Sequence, residues 1–139
     1  MSLGLYLHIP YCFSKCRYCD FYSHPGERGV PEAYVNALLR ELSRFAPEAP
    51  LQPDTLYFGG GTPSLLRPEQ AKRLIDAARP MPGAEITLEA NPETVTEESL
   101  AGFREAGVNR ISYGVQSARD TQLRTLGRPH TPKQARAAF

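Results

Sequence analysis

The sequence predicts an α/β domain in which parallel strands alternate with outer helices. Three observations predict it. Short apolar runs are followed by amphipathic stretches of helical period. The units recur about every 25 to 50 residues, enough for a strand, a helix and two short connections. The apolar runs end in distinctive motifs rich in glycine, proline and polar residues, at the edge where parallel α/β sheets carry their ligands.

Taken in order, Leu5–Ile9 is the first strand candidate. A helix is expected over Tyr34–Ala46, with Val35, Leu38, Leu39, Leu42 and Phe45 on one face and Pro31 suited to its first turn. Thr55–Phe58 reads as the second strand, followed by a helix from about Pro68 to Arg79 that buries Ala71, Leu74, Ile75 and Ala78. Glu85–Ala90 is the third strand. Thr96 caps the next helix, Glu97 and Glu98 lie in its first turn, and Gly107 ends it. Arg110–Val115 is the fourth strand, and a short helix over Asp120–Leu126 stops at Gly127. "HTPKQARAAF" opens a further helix, with Thr131 as N-cap and Pro132 at the first helical position. A parallel sheet needs both faces covered or its barrel closed, and about four βα units close no (β/α) barrel. Residues 1–139 are therefore expected to form one domain, incomplete at its C-terminus, with an apolar sheet edge left open.

Sixteen Lys and Arg against fifteen Asp and Glu give a formal charge of +1, not the strong basic field of a nucleic-acid binder. No apolar run approaches the ~20 residues of a membrane span, and no secretory leader is recognisable; peripheral membrane contact stays open. All three cysteines, Cys12, Cys16 and Cys19, lie in "CFSKCRYC", and pairing two would leave one over. Without a secretion signal, such clustering indicates metal ligands or redox groups in a reducing compartment, so the expected location is the cytoplasm.

Three chemistries fit those thiols. One is structural zinc with His8 or His24 as fourth ligand, although zinc sites usually bring a second CxxC-like pair. A redox dithiol would leave Cys12 unexplained. An iron–sulfur cluster held by three thiolates would keep one iron open for a chelating ligand. Context favours the cluster. The cysteines follow the first strand, "GGGTPS" follows the second, "LEANPE" closes the third with Glu89, and "YGVQS" closes the fourth with Gln116. Four motifs thus meet at the carboxyl edge of one sheet.

The Cys-x3-Cys-x2-Cys pattern resembles that of the radical S-adenosylmethionine (radical SAM) superfamily. "YLHIPYC", "FGGGTPSLL", "LEANPE", "GVNRISYGVQS" and "LGRPHT" together resemble its oxygen-independent coproporphyrinogen oxidase-like family. Within that family the dehydrogenase carries a further cysteine two residues after the third. Here Asp20 and Phe21 follow Cys19, and "CDF" with "GRPHT" is similar to the branch of heme chaperones of the HemW type.

The resemblance implies the N-terminal part of a partial (β/α)6 TIM-like barrel, with a 4Fe–4S cluster on Cys12, Cys16 and Cys19 and S-adenosylmethionine chelated to the open iron. It implies cofactor contacts at Tyr6, Tyr18, Gly60, Gly61, Thr62, Glu89, Gln116 and Arg128, and assigns no residue a catalytic role. Each has a plainer reading: Tyr6 and Tyr18 as packing residues, Glu89 bonded to amides near Asn91 and Pro92, Gln116 as a turn cap, Arg128 in solvent. His8 reads as a packed neighbour of the site, and His130 has no assigned chemistry. The function implied is carriage of heme as cargo to heme-accepting client proteins. The enzyme alternative is oxidative decarboxylation of coproporphyrinogen III propionates in heme biosynthesis.

Overall fold

A computed structural model describes residues 2–25, 27–45 and 51–139. Its elements are β1 (Gly4–Ile9), β2 (Tyr11–Cys12), β3 (His24–Pro25), α1 (Glu32–Phe45), β4 (Thr55–Gly60), α2 (Pro68–Ala78), β5 (Glu85–Ala90), α3 (Glu97–Ala106), β6 (Arg110–Tyr113), α4 (Asp120–Leu126) and α5 (Pro132–Ala138). Ala46, expected to end the first helix, lies outside the described residues.

The four long strands form one parallel sheet in the order β1-β4-β5-β6, with Leu7 opposite Phe58, Phe58 opposite Leu88, and Leu88 opposite Ile111. Strand alternation sends the two side-chain sets to opposite faces. Leu7, Ile9, Leu56, Phe58, Ile86 and Leu88 are buried in one core with Val35 and Leu42 of α1, Leu74 of α2 and Phe103 of α3. The opposite set includes Tyr6, His8, Tyr57, Glu85, Thr87 and Glu89, so the uncovered face of this sheet is polar and aromatic. The open edge differs from the expectation in the same way. It is formed by Arg110, Ile111, Ser112 and Tyr113, and the Tyr113 hydroxyl donates to the Ala138 carbonyl of α5 at 2.8 Å.

Helix ends follow their sequence signals. The Thr96 hydroxyl accepts from the Ser99 N–H at 3.1 Å, and Gly107 takes the left-handed φ of 114° that closes α3. The Thr131 hydroxyl accepts from the Gln134 N–H at 3.2 Å and starts α5. Phe45 departs from its expected place on the buried face of α1: as the last residue of that helix it is 73% exposed. Glu32 ties α1 to α2 through Arg67, Arg73 and Gln70.

Candidate functional site

The carboxyl ends of β1, β4, β5 and β6 open onto one cleft of about 620 Å³. Its wall includes every expected site residue except Tyr6: Cys12, Cys16, Tyr18, Cys19, Gly60, Gly61, Thr62, Glu89, Gln116 and Arg128. Tyr6 lies on the open sheet face, 55% exposed and stacked on Tyr57 with ring centroids 6.0 Å apart.

The cysteine loop is held by backbone bonds at both ends. The Cys12 carbonyl accepts from the Glu27 N–H at 3.0 Å, and the Arg17 N–H donates to the Leu126 carbonyl at 3.1 Å. Cys12 is buried, Cys16 and Cys19 are half-buried, and all three are free thiols. The Thr62 hydroxyl donates to Cys12 Sγ at 3.4 Å, and Arg128 Nη1 donates to Cys16 Sγ at 3.2 Å. A hydroxyl and a guanidinium aimed at sulfur complement the negative charge that thiolate ligands carry.

The glycines after β4 answer a steric demand. A Cβ on Gly61 would sit 2.7 Å from the Tyr11 carbonyl oxygen and 2.9 Å from Cys12 Sγ, so only glycine lets this strand end meet the cysteine loop. Gly60 adopts φ 117°, and its N–H donates to Glu89 Oε2 at 3.2 Å. The other oxygen of Glu89 accepts from the Tyr57 hydroxyl at 2.8 Å. Burial and this hydrogen bond to the carboxylate push the Tyr57 hydroxyl up from its ordinary value. Glu89 therefore crosses from β5 to β4 instead of bonding amides around Asn91. Gln116 sits exposed at the rim with a left-handed φ of 64°.

Arg128 is buried rather than solvated. Its Nη2 donates to Asn91 Oδ1 at 2.6 Å and to the Gly114 carbonyl at 2.5 Å, while Nη1 faces Cys16. Its Nε is buried without a protein partner. Burial pushes the Tyr18 hydroxyl up, and the neighbouring guanidinium opposes that shift. Two residues on, the buried His130 ring spans Glu93 Oε2 at 3.1 Å and the Val115 carbonyl at 3.0 Å. Arg128 and His130 thus clip the same two loops together, those leaving β5 and β6. Sequence reasoning missed Asn91 as the residue that anchors Arg128 and gave His130 no role. The only available signal was that both belong to the motifs "LEANPE" and "GRPHT".

Among the described residues no three His, Cys, Asp or Glu side chains converge on a single ion. His8 is engaged by the Tyr22 carbonyl at 3.1 Å and the Tyr6 hydroxyl at 3.3 Å, as expected of a packed neighbour. Zinc needs its ligands gathered ~2.3 Å from one centre. A multi-iron cluster takes each thiolate at a separate iron, so three free thiols along one cleft wall, with donors aimed at two sulfurs, fit a cluster.

The sequence profile of the radical SAM superfamily matches residues 6–139. The chain belongs to the radical SAM superfamily. Among curated relatives of this radical SAM chain, the heme chaperone HemW of Escherichia coli (strain K12) is 46% identical over 142 residues, covering 98% of this chain and 38% of its own length. The heme chaperone HemW of Mycobacterium tuberculosis (strain H37Rv) is 43% identical, covering 97% of this chain and 37% of its own. Among solved structures, coproporphyrinogen III oxidase (HemN) of Escherichia coli, a radical SAM enzyme, superposes with a TM-score of 0.84 at 29% identity over 99% of this chain and 33% of that one. The chain thus spans about a third of the length of these relatives.

Proposed function

We propose that this chain is the first part of a radical SAM core domain, about four βα units at residues 1–139, and that it belongs to a heme carrier. Cys12, Cys16 and Cys19 would hold a 4Fe–4S cluster. Tyr18, Gly60, Gly61, Thr62, Glu89, Gln116 and Arg128 would bind S-adenosylmethionine in the adjoining cleft, with Tyr6 supporting them through Tyr57. When bound, the cluster supplies a one-electron redox centre with one iron open to a chelating amine and carboxylate.

The chain's own residues do the positioning. Thr62 and Arg128 orient the Cys12 and Cys16 sulfurs. Glu89 fixes the Gly60 backbone while keeping a carboxylate at the cleft wall. Gly61 brings the β4 end against the Cys12 side chain. The clip made by Arg128 and His130 holds the β5 and β6 ends in register.

Heme carriage is preferred to coproporphyrinogen oxidation because of Phe21. It lines the cleft where the dehydrogenase branch places an additional cysteine, and its ring is 68% exposed. The higher identity to proteins named heme chaperones, 46% against 29% to the oxidase, points the same way. Cytoplasmic location and delivery to client proteins belong to this proposal; the structure adds that no described helix is long and apolar enough to cross a membrane. The test is heme titration of the full-length protein alongside an anaerobic assay of coproporphyrinogen III with cluster and reductant present. One heme bound per chain and no protoporphyrinogen is the expected result. Turnover by the unmodified protein would overturn heme carriage, and activity gained by Phe21→Cys alone would trace the difference to that thiol.

A further inference from the structure

The motifs "CFSKCRYC", "GGGTPS", "LEANPE" and "LGRPHT" share one hydrogen-bond circuit, and Asn91 stands at its centre. The side-chain amide of Asn91 uses both its ends. Oδ1 accepts from Arg128 Nη2 at 2.6 Å, and Nδ2 donates to the Thr62 hydroxyl at 3.3 Å. The circuit then runs outward to sulfur on both sides: Thr62 donates to Cys12 Sγ at 3.4 Å, and Arg128 Nη1 donates to Cys16 Sγ at 3.2 Å. Cys12 and Cys16 are thus joined through Thr62, Asn91 and Arg128, with a donor facing an acceptor at every link. The circuit has a direction. Arginine has donors and no acceptor, so a reversed amide would set its NH2 against the guanidinium and draw the Thr62 hydrogen from Cys12 to the amide oxygen. Two neighbours hold Asn91 in this place. A Cβ on Gly114 would lie 2.6 Å from Asn91 Oδ1 and 3.1 Å from Arg128 Nη2, so a side chain there would push the pair apart. The Thr94 hydroxyl donates to the Asn91 carbonyl at 2.8 Å and fixes its backbone. Thr62 and Arg128 are buried and Asn91 is half-buried, so water competes little for these bonds.

We propose that Asn91 is a positioning residue that couples the Cys12 and Cys16 sulfurs, and that its amide sets the reduction potential of the group they hold. The proposal rests on the reading that Cys12, Cys16 and Cys19 hold a 4Fe–4S cluster. Reduction adds one electron to such a cluster, and hydrogen bonds to its sulfurs favour the more negative, reduced state. Arg128 acts on Cys16 directly. It also polarises the Asn91 amide, whose N–H then bonds the Thr62 oxygen more strongly, and the Thr62 hydroxyl in turn bonds Cys12 more strongly. Asn91 makes no hydrogen bond to either sulfur, yet it carries the effect of the guanidinium to Cys12. Asn91→Asp breaks this relay without removing the anchor. A carboxylate accepts from Arg128 as the amide does, but it has no N–H for Thr62 and attracts the Thr62 hydrogen away from Cys12.

The test is a redox titration of the full-length protein, loaded anaerobically with iron and sulfide, reduced with dithionite and mediators and read by electron paramagnetic resonance. Asn91→Asp should keep about four irons per chain and melt within about 3 °C of the parent. Its reduction equilibrium should move at least about tenfold toward the oxidised state, a fall of ~59 mV for one electron. The added charge alone also lowers the potential, so Thr62→Val separates the two causes. In the parent it should shift the same equilibrium about threefold or more in the same direction. In the Asn91→Asp background it should have little further effect, because there the hydroxyl has already left Cys12. An unmoved potential in Asn91→Asp, or an equal effect of Thr62→Val in both backgrounds, would overturn the proposal. Should Asn91→Asp not fold or not take up iron, Thr62→Val is compared with and without Arg128→Lys, which keeps the charge but not the fork. A smaller effect beside the lysine supports the relay, and equal effects overturn it. No iron in the unmodified protein would overturn the cluster reading and this role with it, whereas full iron with an unmoved potential overturns this role alone.

Discussion

Replacing Arg128 by methionine tests whether the site is built around a buried guanidinium. The change removes two donors' worth of hydrogen bonding from Asn91 Oδ1 and the Gly114 carbonyl, at 2.6 and 2.5 Å, and one from Cys16 Sγ at 3.2 Å. Leaving a buried acceptor unpaired costs about 1–3 kcal/mol, so the two oxygens together account for about 2–6 kcal/mol. Methionine fills much of the same space and no longer has to bury a charge, which offsets part of that cost. The net expectation is a loss of about 3 kcal/mol, or roughly a 10 °C fall in melting temperature for a domain of this size. The assay is thermal unfolding followed by far-UV circular dichroism, with the exposed Arg124→Met as control. Asn91→Leu in the Arg128→Met background should restore part of the loss, because the stranded amide oxygen is gone, giving a coupling of about 1–2 kcal/mol. A melting temperature within 2 °C or so of the parent, or strict additivity of the two changes, would refute the view that Arg128 anchors the loops after β5 and β6.

Two further outcomes follow from the geometry. Gly61→Ala places a Cβ 2.7 Å from the Tyr11 carbonyl oxygen, where backbone must move, and should destabilise by about 1–3 kcal/mol while displacing Cys12; urea unfolding and iron uptake measure the two effects separately. The hydrogen bonds from Arg73 and then Gln70, with the charges of Arg73 and Arg67, hold the Glu32 carboxyl below its ordinary value of 4.5. A depressed folded value means the contribution is present above that ordinary value and is lost as pH falls through the folded one. Urea midpoints should therefore fall on acidification below about pH 4.5, and Glu32→Gln should flatten that fall.

The order of strands and helices was legible because strand and helix periods differ and the caps at Thr96, Gly107, Gly127 and Thr131 are local. Boundaries at the sheet's carboxyl edge were less so. β4 continues through Gly59 and Gly60, paired with His8 and Ile9, although glycine lowers strand propensity. β6 stops at Tyr113, and the Gly114 N–H turns to the Ala90 carbonyl at 2.8 Å. The two-residue pairing of β2 with β3 is too short to leave any pattern in the sequence. Within the site, the cysteines and the glycine-rich motif were readable because their chemistry is in the residue type. Arg128 was named only through the family resemblance; its burial was not legible, since an arginine after a helix is ordinarily solvated and only tertiary contacts with Asn91 and Gly114 bury it. His130 was silent for the same reason: its partners Glu93 and Val115 lie 37 and 15 residues away.

The central claim is that Cys12, Cys16 and Cys19 hold a cluster with one open iron. It is tested most directly by anaerobic reconstitution of the chain with iron and sulfide, followed by metal analysis and electron paramagnetic resonance with and without S-adenosylmethionine. The account predicts about four irons per chain, a reduced-state spectrum that changes when S-adenosylmethionine is added, and loss of the iron in Cys16→Ser. One tightly held zinc per chain with no uptake of iron would contradict it.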